Sequence, residues 1–218
     1  MAEAFRDVRD GGDIAYGARA VLDPSALESI HEANFHFLGL LAARCPARGA
    51  APVLGLPAAL AARVRALGPD ARRSVAACPY TLFNLRFEDG AYWRAFARDS
   101  GPRTLGSLAD DASVARMGVF LAWHLAQSND LAASLVLGLN EDGQRAWRGI
   151  PLSALDRAAV TALPFLQARW GRHPVFWPRL VECTSPHDRQ HAEAVRLLGL
   201  QLLAADGIWP QVVGLQNS

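Results

Sequence analysis

His187 and His191 stand four residues apart in the stretch Ser185-Pro186-His187-Asp188-Arg189-Gln190-His191. On a helix that spacing puts both imidazoles on one face, an arrangement in which zinc is often held. The intervening residues are Asp-Arg-Gln, so the glutamate that serves a zinc protease as base is missing, and no third ligand is evident. A second grouping joins Glu28-x-x-His31 to Asp188-x-x-His191. Bundle di-iron sites take ligands from a Glu-x-x-His on each of two helices, together with further inward carboxylates. Here one motif carries Asp and the central stretch offers only Asp130, so the set is incomplete. Neither grouping predicts a bound metal, and no cofactor is expected.

His124 lies between Trp123 and Leu125 inside an apolar run. That setting predicts a buried ring, and burial keeps an imidazole neutral. Two roles fit: a base or ligand contact at the bottom of a pocket, or a core histidine bonded to a backbone carbonyl or to Asn34. The second is the expectation, because buried polar groups are usually satisfied structural ones. Three residues on, Gln127-Ser128-Asn129-Asp130 is better suited to ending one helix and capping the next than to lining a cavity, since Ser, Asn and Asp all compete for backbone N–H groups.

Several chemistries are disfavoured. The sequence holds no lysine, which removes Schiff-base catalysis and any phosphate loop that depends on a lysine. No GxSxG, GxGxxG or paired-cysteine metal pattern occurs. Formal net charge is +1, with arginines scattered among nearly as many acids, so no basic stripe marks a nucleic-acid partner. The arginine-for-lysine bias and the alanine-rich composition point to a GC-rich bacterial genome. The three cysteines, Cys45, Cys78 and Cys183, are odd in number and without CxxC spacing, which predicts reduced, mostly buried thiols in a cytoplasmic setting. The opening residues lack the basic flank and apolar run of an export signal.

The stretch Met117–Leu139 contains no Lys, Arg or Glu. It is long enough to cross a bilayer, but Asp130 would lie near the hydrocarbon centre at a cost of roughly 2.5 to 3.5 kcal/mol. The expectation is instead a buried apolar pair of helices, about 108–139, capped at Ser107, meeting at Ser128-Asn129 and ending at Asn140 before a polar turn Glu141-Asp142-Gly143.

Around that pair the chain predicts amphipathic helices. Asp23-Pro24 reads as cap and first residue of a helix to about Arg44, with Leu27, Ile30, Phe37, Leu38 and Leu41 on one stripe and Asn34 among them. Pro57 opens a short helix stopped by Gly68, and Asp70 caps another. Phe83, Leu85 and Phe87 alternate with polar residues at a strand period but have no evident partner, so extended packing is expected there. A helix over Ala91–Arg98 buries Trp93 or Phe96. Ser153 starts a helix to about Trp170 that Pro164 kinks or divides, and another runs from Val175 to Cys183. Ser185-Pro186 opens a last helix to about Ala205 with His191, Val195, Leu198 and Leu202 inward. Residues 70–96 and 156–180 share an Asp, an apolar helix, a Pro-aromatic pair and a later aromatic-Trp, the outline of a weak internal duplication.

The chain is therefore expected to be an all-α, single multi-helix domain over residues 23–218, preceded by a loosely ordered arm over 1–22. Six tryptophans are many for 218 residues, and Trp147 and Trp209 fall in turn or tail contexts suited to a partner surface. The leading functional expectation is a bacterial cytoplasmic adaptor or regulator that binds another protein or itself, with no nucleic-acid or membrane partner. The alternative is a helical small-molecule or metal-binding protein or enzyme with its site near His124, or near His31, His187 and His191.

Overall fold

The fold is taken from a computed structural model that describes residues 22–46, 50–99, 110–184 and 189–214, with helix positions 110, 111, 189 and 207–214 described as backbone only. The expected arm over 1–22, the Ser107 cap, the Ser185-Pro186 start with His187 and Asp188, and the Trp209 side chain fall outside the described residues, apart from Leu22, which is buried. Among the described residues, ten α-helices surround one two-stranded sheet. None of the described helices is long and apolar enough to cross a membrane.

Helix α1 spans Pro24–Arg44. The Asp23 carboxylate accepts the N–H of Ser25 at 3.0 Å, Pro24 occupies the first position where no N–H is needed, and Cys45 leaves the helix in an extended conformation before Pro46. Ile30, Asn34, Phe37, Leu38 and Leu41 form its fully buried face. Helices α2 (Ala58–Ala66) and α3 (Pro69–Ala76) pack on α1. Gly68 and not Asp70 is the N-cap of α3; Asp70 sits in the first turn, where its charge suits the positive end of the helix.

Strand β1 (Phe83–Asn84) has a partner that periodicity did not find: β2 (Gln167–Ala168), paired antiparallel with Phe83 opposite Ala168. The expected helix 153–170 is in fact a 3₁₀ turn (Leu152–Ala154), helix α8 (Leu155–Ala162), a second 3₁₀ turn (Leu163–Phe165) and then β2. Pro164 cannot continue the helical ladder, so it divides the segment and releases Gln167 to pair. Helix α4 (Gly90–Arg98) buries both Trp93 and Phe96.

Helices α5 (Asp110–Ser128) and α6 (Asp130–Leu137) are the predicted central pair. Asn129 joins them as the N-cap of α6, its side chain accepting the N–H of Ala132 at 2.9 Å, and Gly138 closes α6 at φ 71°. The pair is not buried on every side: Phe120, His124 and Leu131 are exposed. Nor does a turn follow it. Asn140 caps helix α7 (Glu141–Arg148) through the N–H of Gly143 at 2.8 Å, and the acidic residues read as a turn form the first helical turn, where they favour the helix dipole. Helix α9 is Phe176–Leu180 and helix α10 is Arg189–Gly214. Of the stripe expected on α10, Val195 is buried while His191, Leu198 and Leu202 are half-buried, and Gly199 and Leu203 face inward with Val195.

The two stretches paired by sequence share local devices at positions 83 or 84 apart. Arg86 and Trp170 both take positive φ, 58° and 51°. Asp89 accepts the N–H of Tyr92 at 2.9 Å, and His173 Nδ1 accepts that of Phe176 at 3.1 Å. Trp93 donates its indole N–H to the Arg86 carbonyl at 2.7 Å, and Trp177 donates to the Arg169 carbonyl at 2.7 Å. Both stretches run helix, strand, helix, and their strands pair with each other.

Candidate functional site

Helices α1 and α5 pack together along one side and diverge along the other, leaving an open groove of about 740 Å³. Ser25, Glu28, Ser29 and Glu32 line one wall; Met117, Phe120, Leu121, Trp123 and His124 line the other. On each helix these residues recur at three- and four-residue steps, which places them on one face. The α1 wall is polar because its apolar residues are committed to the opposite face, against α2 and α3. The α5 wall is apolar and partly wet: Phe120 is 39% exposed, and Leu121 forms the buried floor. Trp123 is fixed by an indole bond to the Ile150 carbonyl at 2.9 Å.

His124 is thus on the surface, not in the core, and it does not meet Asn34. Consecutive residues are about 100° apart around a helix, so the apolar neighbour Leu125 turns inward and Trp123 is half-buried, while His124 shares the outward face of Phe120. Asn34 has its own partners: its amide donates to the carbonyls of Ala76 at 3.1 Å and Tyr80 at 2.9 Å, and its oxygen accepts the N–H of Leu82 at 2.8 Å.

The charges beside the groove are acidic. The backbone N–H and then the hydroxyl of Ser25 hold the Asp23 carboxyl below its usual range, with a smaller contribution from the charge of His124. Glu32 pairs with His36 at 2.9 Å. Among the described residues no arginine lies within ion-pair reach of Glu28 or Glu32, whereas arginines do pair with Asp89, Asp130, Asp142, Asp156 and Glu141.

Both histidine groupings include residues outside the described ones, His187 in the first and Asp188 in the second. Among the described residues, no three His, Cys, Asp or Glu side chains come together as a metal site. His31 and His191 are half-buried, Glu28 belongs to the groove, and Asp130 pairs with Arg148; His187 lies outside the described residues. Trp147 is no surface anchor. It is fully buried, stacked on Trp93 with ring centroids 4.1 Å apart, and donates to the Phe87 carbonyl at 3.0 Å. All three cysteines are buried and none forms a disulfide. Burial pushes the Cys78 thiol up to about 11, so it stays protonated and unreactive at neutral pH. Arg169, also buried, is pushed down to about 10 by desolvation and spends its donors on the carbonyls of Leu137 and Phe83, closing the end of α6.

The groove was missed in the sequence because its two walls are 92 residues apart, from Ser25 to Met117. A signal was nonetheless present: Met117, Phe120 and His124 fall on a helical face that excludes Gly118, Ala122 and Leu125, the face packed inward. The fold is an all-α multi-helix domain with one short sheet. Compared with known protein families, with curated proteins and with solved structures, the chain matches none.

Proposed function

We propose that this protein is an interaction domain, an adaptor or regulator that receives a segment of another protein in the groove between α1 and α5. The observation that carries this reading is the exposure of Phe120 beside Met117 and Trp123, opposite a polar wall. An apolar strip with a polar rim is what a protein-binding groove presents. A bacterial cytoplasmic setting is part of the proposal, supported by the lysine-free composition and by three buried cysteines that form no disulfide.

A photo-crosslinking residue at position 120, with a control at the exposed Val160 of α8, tests the reading in cells. A discrete protein adduct from position 120 alone is expected. Equal labelling from both positions, or none from either, counts against it. A small molecule beside His124 is the second reading, favoured by the groove volume, which falls in the range of about 300–1,000 Å³ that such ligands occupy. An adduct at position 120 that is competed away by a metabolite extract passed through a size filter would select it.

A further inference from the structure

From the charge pattern around this groove we infer the chemistry of its occupant: a basic amphipathic helix of a partner protein, its apolar side chains seated on Met117, Phe120 and Trp123 and its arginines or lysines facing Glu28 and Glu32. The inference rests on the interaction reading above and specifies the partner.

The groove has the dimensions of a helix contact. Its walls run from Ser25 to Glu32 and from Met117 to His124, which at about 1.5 Å per residue is ~10 Å, two helical turns. Two turns present two or three side chains at i, i+3 or i+4, and i+7, matching the same repeat in the α5 wall. The walls are also rigid. The two helices pack directly on each other and the Trp123 indole is bonded to Ile150, so a partner would order little of this chain on binding.

Charge selects the sign. Glu28 and Glu32 stand on one rim with Asp23 beyond them, and Arg86, Arg94, Arg116, Arg145 and Arg148 pair with other carboxylates. Glu32 meets the exposed His36 at 2.9 Å and, among the described residues, no arginine pairs with it or with Glu28, so a partner carrying arginine or lysine would supply the strong cation that these carboxylates lack. A second copy of the chain does not fit as well, because a two-fold contact brings the same lining to both sides, and that lining holds no arginine to meet Glu28 and Glu32.

The test uses the full chain and two synthetic helical peptides with the same leucine face, one flanked by lysines and the other by glutamates, followed by backbone NMR shifts and titration. The lysine peptide is expected to shift Glu28, Glu32, Phe120 and His124 and to bind at least tenfold more tightly than the glutamate peptide. Glu28→Gln and Glu32→Gln should each weaken it by up to about fivefold, the range of an exposed ion pair, with the effect shrinking in high salt. Phe120→Ala, an exposed position that leaves the core intact, should weaken both peptides. Equal binding of the two peptides would overturn the charge assignment and leave the groove standing. No shift at the groove with either peptide would overturn both, and concentration-dependent shifts at these residues without peptide would assign the groove to a second copy.

Discussion

The side-chain oxygen of Asn34 accepts the N–H of Leu82 at 2.8 Å across 48 residues of chain, while its amide group holds the Ala76 and Tyr80 carbonyls. One buried side chain thereby satisfies three backbone groups in the segment between α3 and β1, where no regular ladder exists. Asn34→Leu fills similar space but leaves the Tyr80 carbonyl and the Leu82 N–H without this partner, while the Ala76 carbonyl keeps the Cys78 N–H at 2.8 Å. A loss of about 3 kcal/mol is expected, since each orphaned buried group costs roughly 1–3 kcal/mol and water entry relieves part of it. Urea unfolding measures it; a change under 1 kcal/mol would show that the three bonds are dispensable.

Two helical glycines should respond in opposite directions. A Cβ on Gly199 would lie 1.9 Å from the Tyr80 hydroxyl oxygen, whereas one on Gly39 would meet nothing within 4 Å. Gly39→Ala should stabilise by about 0.5–1 kcal/mol through helix propensity. Gly199→Ala should destabilise by about 1–3 kcal/mol as Tyr80 or α10 is pushed aside. Thermal midpoints of the two variants, measured in the same buffer, check the contrast.

His173 and Asp89 perform the same task at equivalent points of their stretches, each accepting a backbone N–H in the first turn of the helix that follows. His173→Ala should cost about 1 kcal/mol, the usual value of a lost cap. His173→Asp should retain most of the stability, because a carboxylate already fills this role at position 89. Equal losses in the two variants would mean that the ring's packing, and not its acceptor nitrogen, is what matters.

Alkaline pH should destabilise the protein through Cys78. Burial raises its thiol from an ordinary 9.0 to about 11, so the folded chain keeps a proton that the unfolded chain has released. Where the folded state binds more protons, stability falls as pH rises, here through the window from 9 to 11, by about 3 kcal/mol once both limits are passed. Burial moves the Tyr80 hydroxyl in the same direction, while the lowered Arg169 acts oppositely above about 10. The comparison of wild type with Cys78→Ala removes the Cys78 contribution together with the part of the Tyr80 shift that Cys78 causes, which has the same sign, and leaves Arg169 in both proteins. The variant should show a shallower loss of stability between pH 8 and 11, and identical slopes would exclude Cys78 as the cause.

Local signals in the sequence were enough for much of the helical outline. Asp23-Pro24, Asn129 and Pro164 each start, join or divide a helix as their chemistry requires, and the stripe through Ile30, Asn34 and Phe37 is the buried face of α1. These features act within one or two turns, so they are legible in the order of residues. The pairing of Phe83 with Ala168, the burial of Trp147 against Trp93 and the exposure of His124 were not legible. Each depends on which elements meet across scores of residues, and a short run of apolar types does not say which side of a helix another helix will cover. The groove is the clearest case. Glu28 and Glu32 on one helix and Phe120 and His124 on another have ordinary sequence surroundings, and only the packing of α1 on α5 turns them into two walls of one site.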